Sequence, residues 1–282
     1  MISLKNDLVG DFRHTYLSTS LEIRKHLRRR RILITATLAL LLPVIFYIVP
    51  IALDRDFAET GNAFASTNLG FVNLLIIISA AIFTGDTISG EFENRTGLLL
   101  FPTPQRRNTI FVGKFVAALL TTWIAVSLYY LVTCLEIISI YGAAELSIEL
   151  AHSFLLALIY GASVVGLIFF FSSILKRTIT STLLGFFLLM MILPITSAVL
   201  SLAEVDPWFL VTHSAGLITD VFNLPSAGGF RPGQGPGAGP VVSGALVTFS
   251  PEFYLGITVM AIYAITPFLA GLMIANRKQM AG

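Results

Sequence analysis

Charged residues are scarce in this sequence. Only 12% of its 282 residues are Asp, Glu, Lys or Arg, whereas an ordinary soluble domain has roughly 25%. Hydrophobic residues make up 55% of the chain and the mean hydropathy is +0.84. Several uncharged runs reach about 20 residues, the length that a helix needs to cross a bilayer. This composition excludes a soluble globular domain and predicts a polytopic membrane protein.

Cysteine and grouped metal ligands are also nearly absent. Cys134 is the single cysteine, so the chain has neither an intrachain disulfide framework nor a thiolate metal cluster. The four histidines are isolated from one another and from acids at metal-ligand spacing. The sequence also lacks a Gly-x-Ser-x-Gly nucleophile elbow and a Gly-x-x-x-x-Gly-Lys-Ser/Thr phosphate-binding loop. We therefore expect no catalytic site, cofactor or metal in this chain, and any ATP to be bound by another protein.

Six apolar segments are long enough to be transmembrane helices, so the predicted fold class is an all-α polytopic membrane protein. The predicted spans are residues 32–53, 69–85, 110–140, 153–175, 178–203 and 253–275. We expect residues 204–252 to form a long loop outside the cytoplasm. Its part 228–240 is so rich in Gly and Pro that we expect a flexible linker, with a lid or a partner contact site as the alternative.

Residues 1–31 precede the first span and end in a basic run at 24–31. In a helix, a narrow apolar arc is formed by Phe12, Tyr16, Ile23 and Leu27. This pattern predicts an amphipathic helix on the membrane surface, where membrane lipids with acidic headgroups attract the basic run. A nucleic-acid-binding arm is the alternative, but a span begins directly afterwards, so we expect no nucleic-acid partner.

The basic residues indicate the orientation of the chain. With the N-terminus inside, 16 of the 18 Lys and Arg residues lie in cytoplasmic segments, and only Arg55 and Arg231 lie outside. Cytoplasmic loops carry such an excess of Lys and Arg. The sequence therefore predicts a multi-pass protein of the cell membrane with both termini in the cytoplasm.

The loop at residues 86–114 combines charges with turn-forming residues. Residues 88–95 predict a short helix, capped near Thr87 or Ser89, in which Glu91 and Arg95 have the spacing of an ion pair. Thr-Gly and proline residues then end it. We expect a compact, rigid element below the bilayer that transmits the motion of a partner into spans two and three. An ordinary solvated loop is the alternative.

Polar residues inside the spans are few. We interpret Glu136 as an acid at headgroup level, with a proton relay as the alternative, and we expect Lys114 to extend towards lipid headgroups. The hydroxyl residues are expected to form hydrogen bonds between helices. The alternative is a translocation path, for which the candidates are Asn73, Ser79, Thr180, Ser181 and Thr182.

The loop at 86–114 resembles the ABC-2 (type-2 ABC exporter) permease family. The matching pattern is an acidic pair after span two, Thr-Gly, a leucine run, a proline, two arginines and Gly-Lys at the start of span three. In this sequence the pattern is formed by Glu91, Glu93, Thr96, Gly97, residues 98–100, Pro102, Arg106, Arg107, Gly113 and Lys114. The six spans, the amphipathic helix and the enlarged loop before span six extend the resemblance over nearly the whole chain. The branch it looks closest to contains permeases associated with multicopper enzyme maturation.

The resemblance implies the transmembrane subunit of an ATP-driven exporter that works by alternating access. Such a subunit would pair with a second copy of itself or a related permease. Two separate ABC ATPase subunits, which hold ATP and Mg²⁺, would dock on the loop. The implied coupling residues are the loop residues already named, from Glu91 to Lys114, together with Arg95. A non-transporting membrane scaffold or sensor and an intramembrane enzyme are the alternatives, and the substrate does not follow from the sequence.

Overall fold

The computed structural model describes residues 2–28, 30–94, 107–223, 241–243, 246–248 and 251–277, and this part of the chain is almost entirely helical. The helices are α1 (Ile2–Arg28), α2 (Arg31–Ala52), α3 (Gly61–Leu69), α4 (Val72–Thr84), α5 (Ser89–Glu93), α6 (Arg107–Tyr141), α7 (Ile148–Ile174), α8 (Thr178–Phe187), α9 (Leu193–Leu202), α10 (Val211–Ser214), α11 (Leu217–Asp220) and α12 (Phe253–Arg277). Short 3₁₀ turns occur at Ala143–Glu145 and Val221–Asn223. Two short strands, β1 (Val241–Ser243) and β2 (Leu246–Thr248), pair antiparallel with Val242 opposite Val247. The all-α fold class is confirmed, with this small hairpin as an addition.

Six helical segments are long and apolar enough to cross a membrane. Spans one to six are Arg31–Ala52, Gly61–Glu93, Asn108–Tyr141, Ile148–Ile174, Thr178–Leu202 and Phe253–Arg277. The second span therefore begins at Gly61, earlier than the sequence predicted. The side chain of Thr60 caps it by accepting a hydrogen bond from the Ala63 N–H at 3.2 Å. The polar residues that suggested a loop here are accommodated because Asn68 is buried against span three.

Spans two and four form the centre of the bundle. In span two 72% of the most apolar stretch is buried, and in span four 61%, whereas only 11% is buried in span five. The largest fully buried side chains include Tyr129, Tyr160 and Phe83. Spans one, five and six thus surround this centre and keep wide apolar faces exposed, as is normal for helices that contact lipid.

Small residues allow span four and span six to approach closely. A Cβ atom on Gly166 would lie 2.8 Å from the Ala264 carbonyl oxygen, so a side chain there would push the helices apart. One turn away, the Ser163 hydroxyl donates a hydrogen bond to the Met260 carbonyl at 2.7 Å. Close backbone approach with hydroxyl bonds between helices is a common way of packing transmembrane helices.

Span five is interrupted by a π-helical turn at Leu188–Ile192, between α8 and α9. Pro194 follows directly, at the start of α9. Proline lacks the N–H that the carbonyl one turn earlier needs, and a widened turn is one way of accommodating that loss. The irregularity in span five therefore lies next to this proline.

Candidate functional site

The polar side of α1 contacts the start of span three. Ser18 Oγ donates a hydrogen bond to the Ile110 carbonyl at 3.3 Å, and Thr19 Oγ1 donates one to the Gly113 carbonyl at 3.1 Å. A Cβ atom on Gly113 would lie 2.6 Å from the Cβ of Ser18. Gly113, which the resemblance marks as a coupling residue, is therefore a point of close approach between α1 and α6.

Lys114 lies at the centre of a buried cluster of charges, which we call the ion cluster. Its Nζ contacts the carboxylate of Glu22 on α1 and lies 2.8 Å from Oε1 of Glu91 on α5. Lys25 adds a second cation, with Nζ 3.0 Å from Glu22 Oε2. Only 2% of Lys114 is exposed, so the expectation that it extends towards lipid headgroups is wrong. The acids that hold it inside come from two other helices, and their proximity is not visible in the linear sequence.

The charges of the ion cluster keep Glu22 ionised. Burial raises the pKa of the Glu22 carboxyl, but the ammonium groups of Lys114 and Lys25 outweigh that effect and hold its pKa at about 2. The cluster thus sets two acids against two bases, with Lys114, Glu22 and Glu91 buried and Lys25 partly exposed. Removing Lys114 would take the shared cation away from Glu22 and Glu91, and removing one partner of a buried pair is costly.

A second ion pair fastens the start of span one to the same region. Arg31 Nη1 lies 2.8 Å from Asp86 Oδ1 and donates a hydrogen bond to the Ile82 carbonyl at 3.1 Å. Beside this pair, the buried ring of His26 meets Phe83 edge-on, with 5.1 Å between the ring centroids. Burial lowers the pKa of His26 to about 4, against the opposing effect of Asp86. His26 is therefore neutral at physiological pH.

Span four, rather than a local residue, caps the short helix α5. The Ser172 hydroxyl accepts hydrogen bonds from the N–H groups of Ile88 and Ser89, at 3.0 and 3.1 Å, and donates to the Gly85 carbonyl at 3.1 Å. Since the first N–H groups of a helix have no partner within it, this contact satisfies two of them. Thr87 and Ser89, the caps expected from the sequence, instead donate their hydroxyls to the carbonyls of Thr84 and Gly85.

Glu93 connects α5 to span five. Its Oε2 accepts a hydrogen bond from the N–H of Thr178, the first residue of α8, at 2.7 Å. A carboxylate at this position suits the positive end of the helix dipole. Whereas Glu91 faces inward to Lys114, Glu93 is exposed. The short helix α5 is thus bound to spans three, four and five by three independent contacts.

The structure does not describe the remaining residues to which the resemblance assigns a role in coupling. Arg95, Thr96, Gly97, Pro102 and Arg106 lie outside the described residues, as do the side chain of Arg107 and the Gly/Pro-rich segment 228–240. Their roles stay predictions.

The candidate path residues do not share one surface. Ser79 on α4 and Ser181 on α8 are fully buried, whereas Thr180 is exposed. Thr182 donates its hydroxyl to the Thr178 carbonyl at 3.0 Å and lies against Gly85. Asn73 is partly buried. Within the described part of the chain, the hydroxyls of Ser79 and Ser181 and the Asn73 side-chain oxygen are buried without a hydrogen-bond partner. A role of these residues in a translocation path stays a prediction.

Glu136 belongs to a second buried polar group, at the other end of spans two and three. Its Oε2 accepts a hydrogen bond from Asn68 Nδ2 at 2.8 Å, and only 6% of the residue is exposed. Asn68 is held in turn, because Tyr129 donates its hydroxyl to the Asn68 carbonyl at 2.7 Å. The carboxyl is therefore enclosed rather than open to headgroups, because Asn68 lies in span two and not in a loop.

A family model described as an ABC-2 family transporter protein matches residues 18–208, well over half of the chain. The chain belongs to the ABC-2 transporter family. The match begins at Ser18, so it includes every residue of the ion cluster as well as spans one to five. No curated protein sequence matches the chain.

Membership of the ABC-2 family confirms the class expected from the sequence. A family of this kind supplies the transmembrane component of an ABC transporter rather than a catalytic domain, and associates in general with ABC ATPase subunits. The branch associated with multicopper enzyme maturation stays a prediction. The residues that the sequence missed are Glu22, Arg31, Ser172 and Thr178. For Glu22 the sequence did contain a signal, because Lys114 lies next to an apolar span and a buried cation requires an acid nearby.

Proposed function

We propose that the chain is the permease subunit of an ABC exporter, which moves a substrate across the cell membrane by alternating access. Separate ATPase subunits would bind ATP and Mg²⁺ and supply the motion. The observation that carries the proposal is the attachment of α5 to the membrane spans. The Glu91–Lys114 pair binds it to span three, Ser172 binds it to span four, and Glu93 binds it to span five.

The proposed orientation places α1 and the end of span two that carries α5 on the cytoplasmic side, with both termini. Sixteen of the 18 Lys and Arg residues then lie on the cytoplasmic side, in agreement with the usual bias of membrane proteins. ATPase subunits act in the cytoplasm, so this orientation also places α5 where such a partner would reach it.

The contacts of α5 suit the transmission of force. A helix held at one end by a flexible loop would yield to a push, whereas a helix held at three points moves the spans that hold it. Two of those points involve charges, and the Glu91–Lys114 pair is buried. Separating buried partners costs several kcal/mol, so the contact resists breaking under load. In this scheme Glu91 positions α5, and the exposed Glu93 lies nearest to the partner.

The exposed spans suit a paired arrangement. Span five is the least buried of the six, and Thr180 on it is exposed. We propose that a second permease subunit covers part of the surface of spans one and five, and that the substrate path lies between the two subunits. The exposed Thr180 on span five is then available to that path.

Copurification with candidate ATPase subunits tests the proposal. The full chain should form a stable complex with an ABC ATPase, and in vesicles the complex should hydrolyse ATP. Glu93→Ala should weaken binding or lower ATPase activity in the complex, and it should lower the thermal stability of the free chain only modestly, because the Thr178 N–H that loses its acceptor is at an exposed site. Glu252→Ala, an acid at the opposite end of the bundle, is the matched control. Transport by the chain without any ATPase would refute the proposal.

A further inference from the structure

The outward side of α1 carries apolar and basic residues in one continuous stripe. Leu17, Leu21, Arg24 and Arg28 follow one another at spacings of four, three and four residues, which places them on a single helical face. All four are exposed, Leu21 by 64% and Leu17 by 42%. At 1.5 Å per residue the stripe is about 17 Å long, with its apolar half first and its basic half nearest to span one.

The inward side of α1 explains why these residues cannot turn inside. Ser18, Thr19, Glu22 and His26 occupy the opposite face, where Thr19 and Glu22 bond to span three and His26 is buried on Phe83. A helix that buries polar residues and exposes leucines does not have water as its outer environment. The environment that suits the outer face is the boundary between lipid headgroups and acyl chains.

The charges of the stripe select among lipids. Within the described part of the chain neither Arg24 nor Arg28 has an acidic partner, and Glu22, the acid nearest to them on α1, is committed to Lys114 and Lys25. Two arginines beside exposed leucines therefore present positive charge that the described residues do not balance. Anionic headgroups would balance it, whereas zwitterionic headgroups would not.

We propose that Leu17, Leu21, Arg24 and Arg28 form a binding surface for anionic phospholipids, with the leucines among the acyl chains and the arginines on the headgroup phosphates. The helix is already fixed to the protein through Ser18, Thr19 and Glu22, so a bound lipid does not have to order it. Lipid bound on the outer side and the ion cluster on the inner side then hold α1 between them. This lipid-binding surface is formed by α1 alone, so it does not depend on whether the protein transports a substrate.

Tryptophan fluorescence measures the lipid next to α1 directly. The chain has two tryptophans, so Trp123→Phe and Trp208→Phe give a silent background, and Leu21→Trp adds a reporter within the stripe. The full chain is placed in phosphatidylcholine vesicles that contain a rising fraction of brominated phosphatidylglycerol or of brominated phosphatidylcholine. Bromine quenches the reporter only when the labelled lipid is adjacent. The expected result is stronger quenching by the anionic lipid, with a preference that falls at high salt.

Charge variants test whether the arginines cause the preference. Each arginine should contribute about fivefold to the relative affinity for the anionic lipid, so Arg24→Gln/Arg28→Gln should bring the two lipids close to parity. Arg24→Lys/Arg28→Lys should retain the preference. Lys176→Gln/Arg177→Gln, which removes two exposed bases near α5, is the matched control and should leave it unchanged. Equal quenching by the two lipids in the parent protein, or a preference that survives the glutamine variant, would overturn the proposal.

Discussion

Replacing Lys114 by methionine should destabilise the protein strongly, because the ion cluster depends on this cation. The substitution keeps a similar volume and removes the ammonium group that contacts both Glu22 and Glu91. Removing one member of a buried ion pair typically costs about 3–5 kcal/mol. Lys25 stays beside Glu22 and compensates part of the loss, so we expect about 3 kcal/mol.

Thermal unfolding of the purified full chain in detergent provides the assay. For a protein of this size, about 3 kcal/mol corresponds to a fall in the melting temperature of roughly 6–12 °C. Lys176→Met is the matched control, since this exposed lysine is not in the ion cluster, and its effect should stay within about 0.5 kcal/mol.

A double-mutant cycle identifies the source of the loss. If the cost comes from carboxylates left buried without a cation, Glu91→Gln should destabilise the parent protein but restore part of the stability of Lys114→Met. The restoration should be at least about 1 kcal/mol, because groups in one charge network couple by amounts of this size. A loss below about 1 kcal/mol for Lys114→Met, or strictly additive effects, would refute the description of the ion cluster as buried and mutually dependent.

Three further predictions concern the same region. Acid should destabilise the protein in two pH ranges, because His26 takes up its proton between about pH 6.5 and 4 in the unfolded chain but stays neutral in the folded one, and Glu22 takes up its proton between about pH 4.5 and 2 in the unfolded chain but stays ionised in the folded one. When unfolding is followed against pH, His26→Phe should remove the loss of stability in the first range and Glu22→Gln the loss in the second. Gly113→Val should separate α1 from span three and raise the rate of proteolysis within α1. Gly142→Val, at a glycine with open space around it, should leave proteolysis of α1 unchanged, although the positive φ of Gly142 makes the change costly for local stability. Ser172→Ala should cost about 1–2 kcal/mol in thermal unfolding, since two N–H groups of α5 lose their acceptor, and unchanged stability would contradict the capping role.

The spans could be predicted from sequence because each of them carries its own evidence. An uncharged apolar run of sufficient length is a local property, and the six such runs correspond to the six spanning helices. The amphipathic pattern of residues 1–31 is local in the same sense, and α1 keeps Tyr16 and Leu27 exposed as that pattern requires. The loop pattern around Glu91 also sufficed to indicate the family.

The contacts of the candidate site could not be predicted, because they join residues that are far apart in the chain. Lys114 contacts Glu22, and Ser172 caps Ile88, across more than 80 intervening positions. A single lysine near the start of an apolar helix is compatible with a side chain that reaches out to headgroups and with one that is paired inside. Only the positions of the other helices decide between them. Asn68 was assigned to a loop for the same reason, because its partner Glu136 lies far away in the sequence, in span three.

Distance measurements during the ATPase cycle test most directly whether α5 drives the spans as a rigid part of them. Spin labels on Asn94→Cys and Ile148→Cys, in a Cys134→Ala background, report the distance from the end of α5 to the far end of span four. Labels on Asn94→Cys alone report the distance between two subunits in the complex. The account predicts that ATP changes the distance between subunits while the distance within one subunit stays constant. A change within the subunit, with the spans stationary, would contradict it.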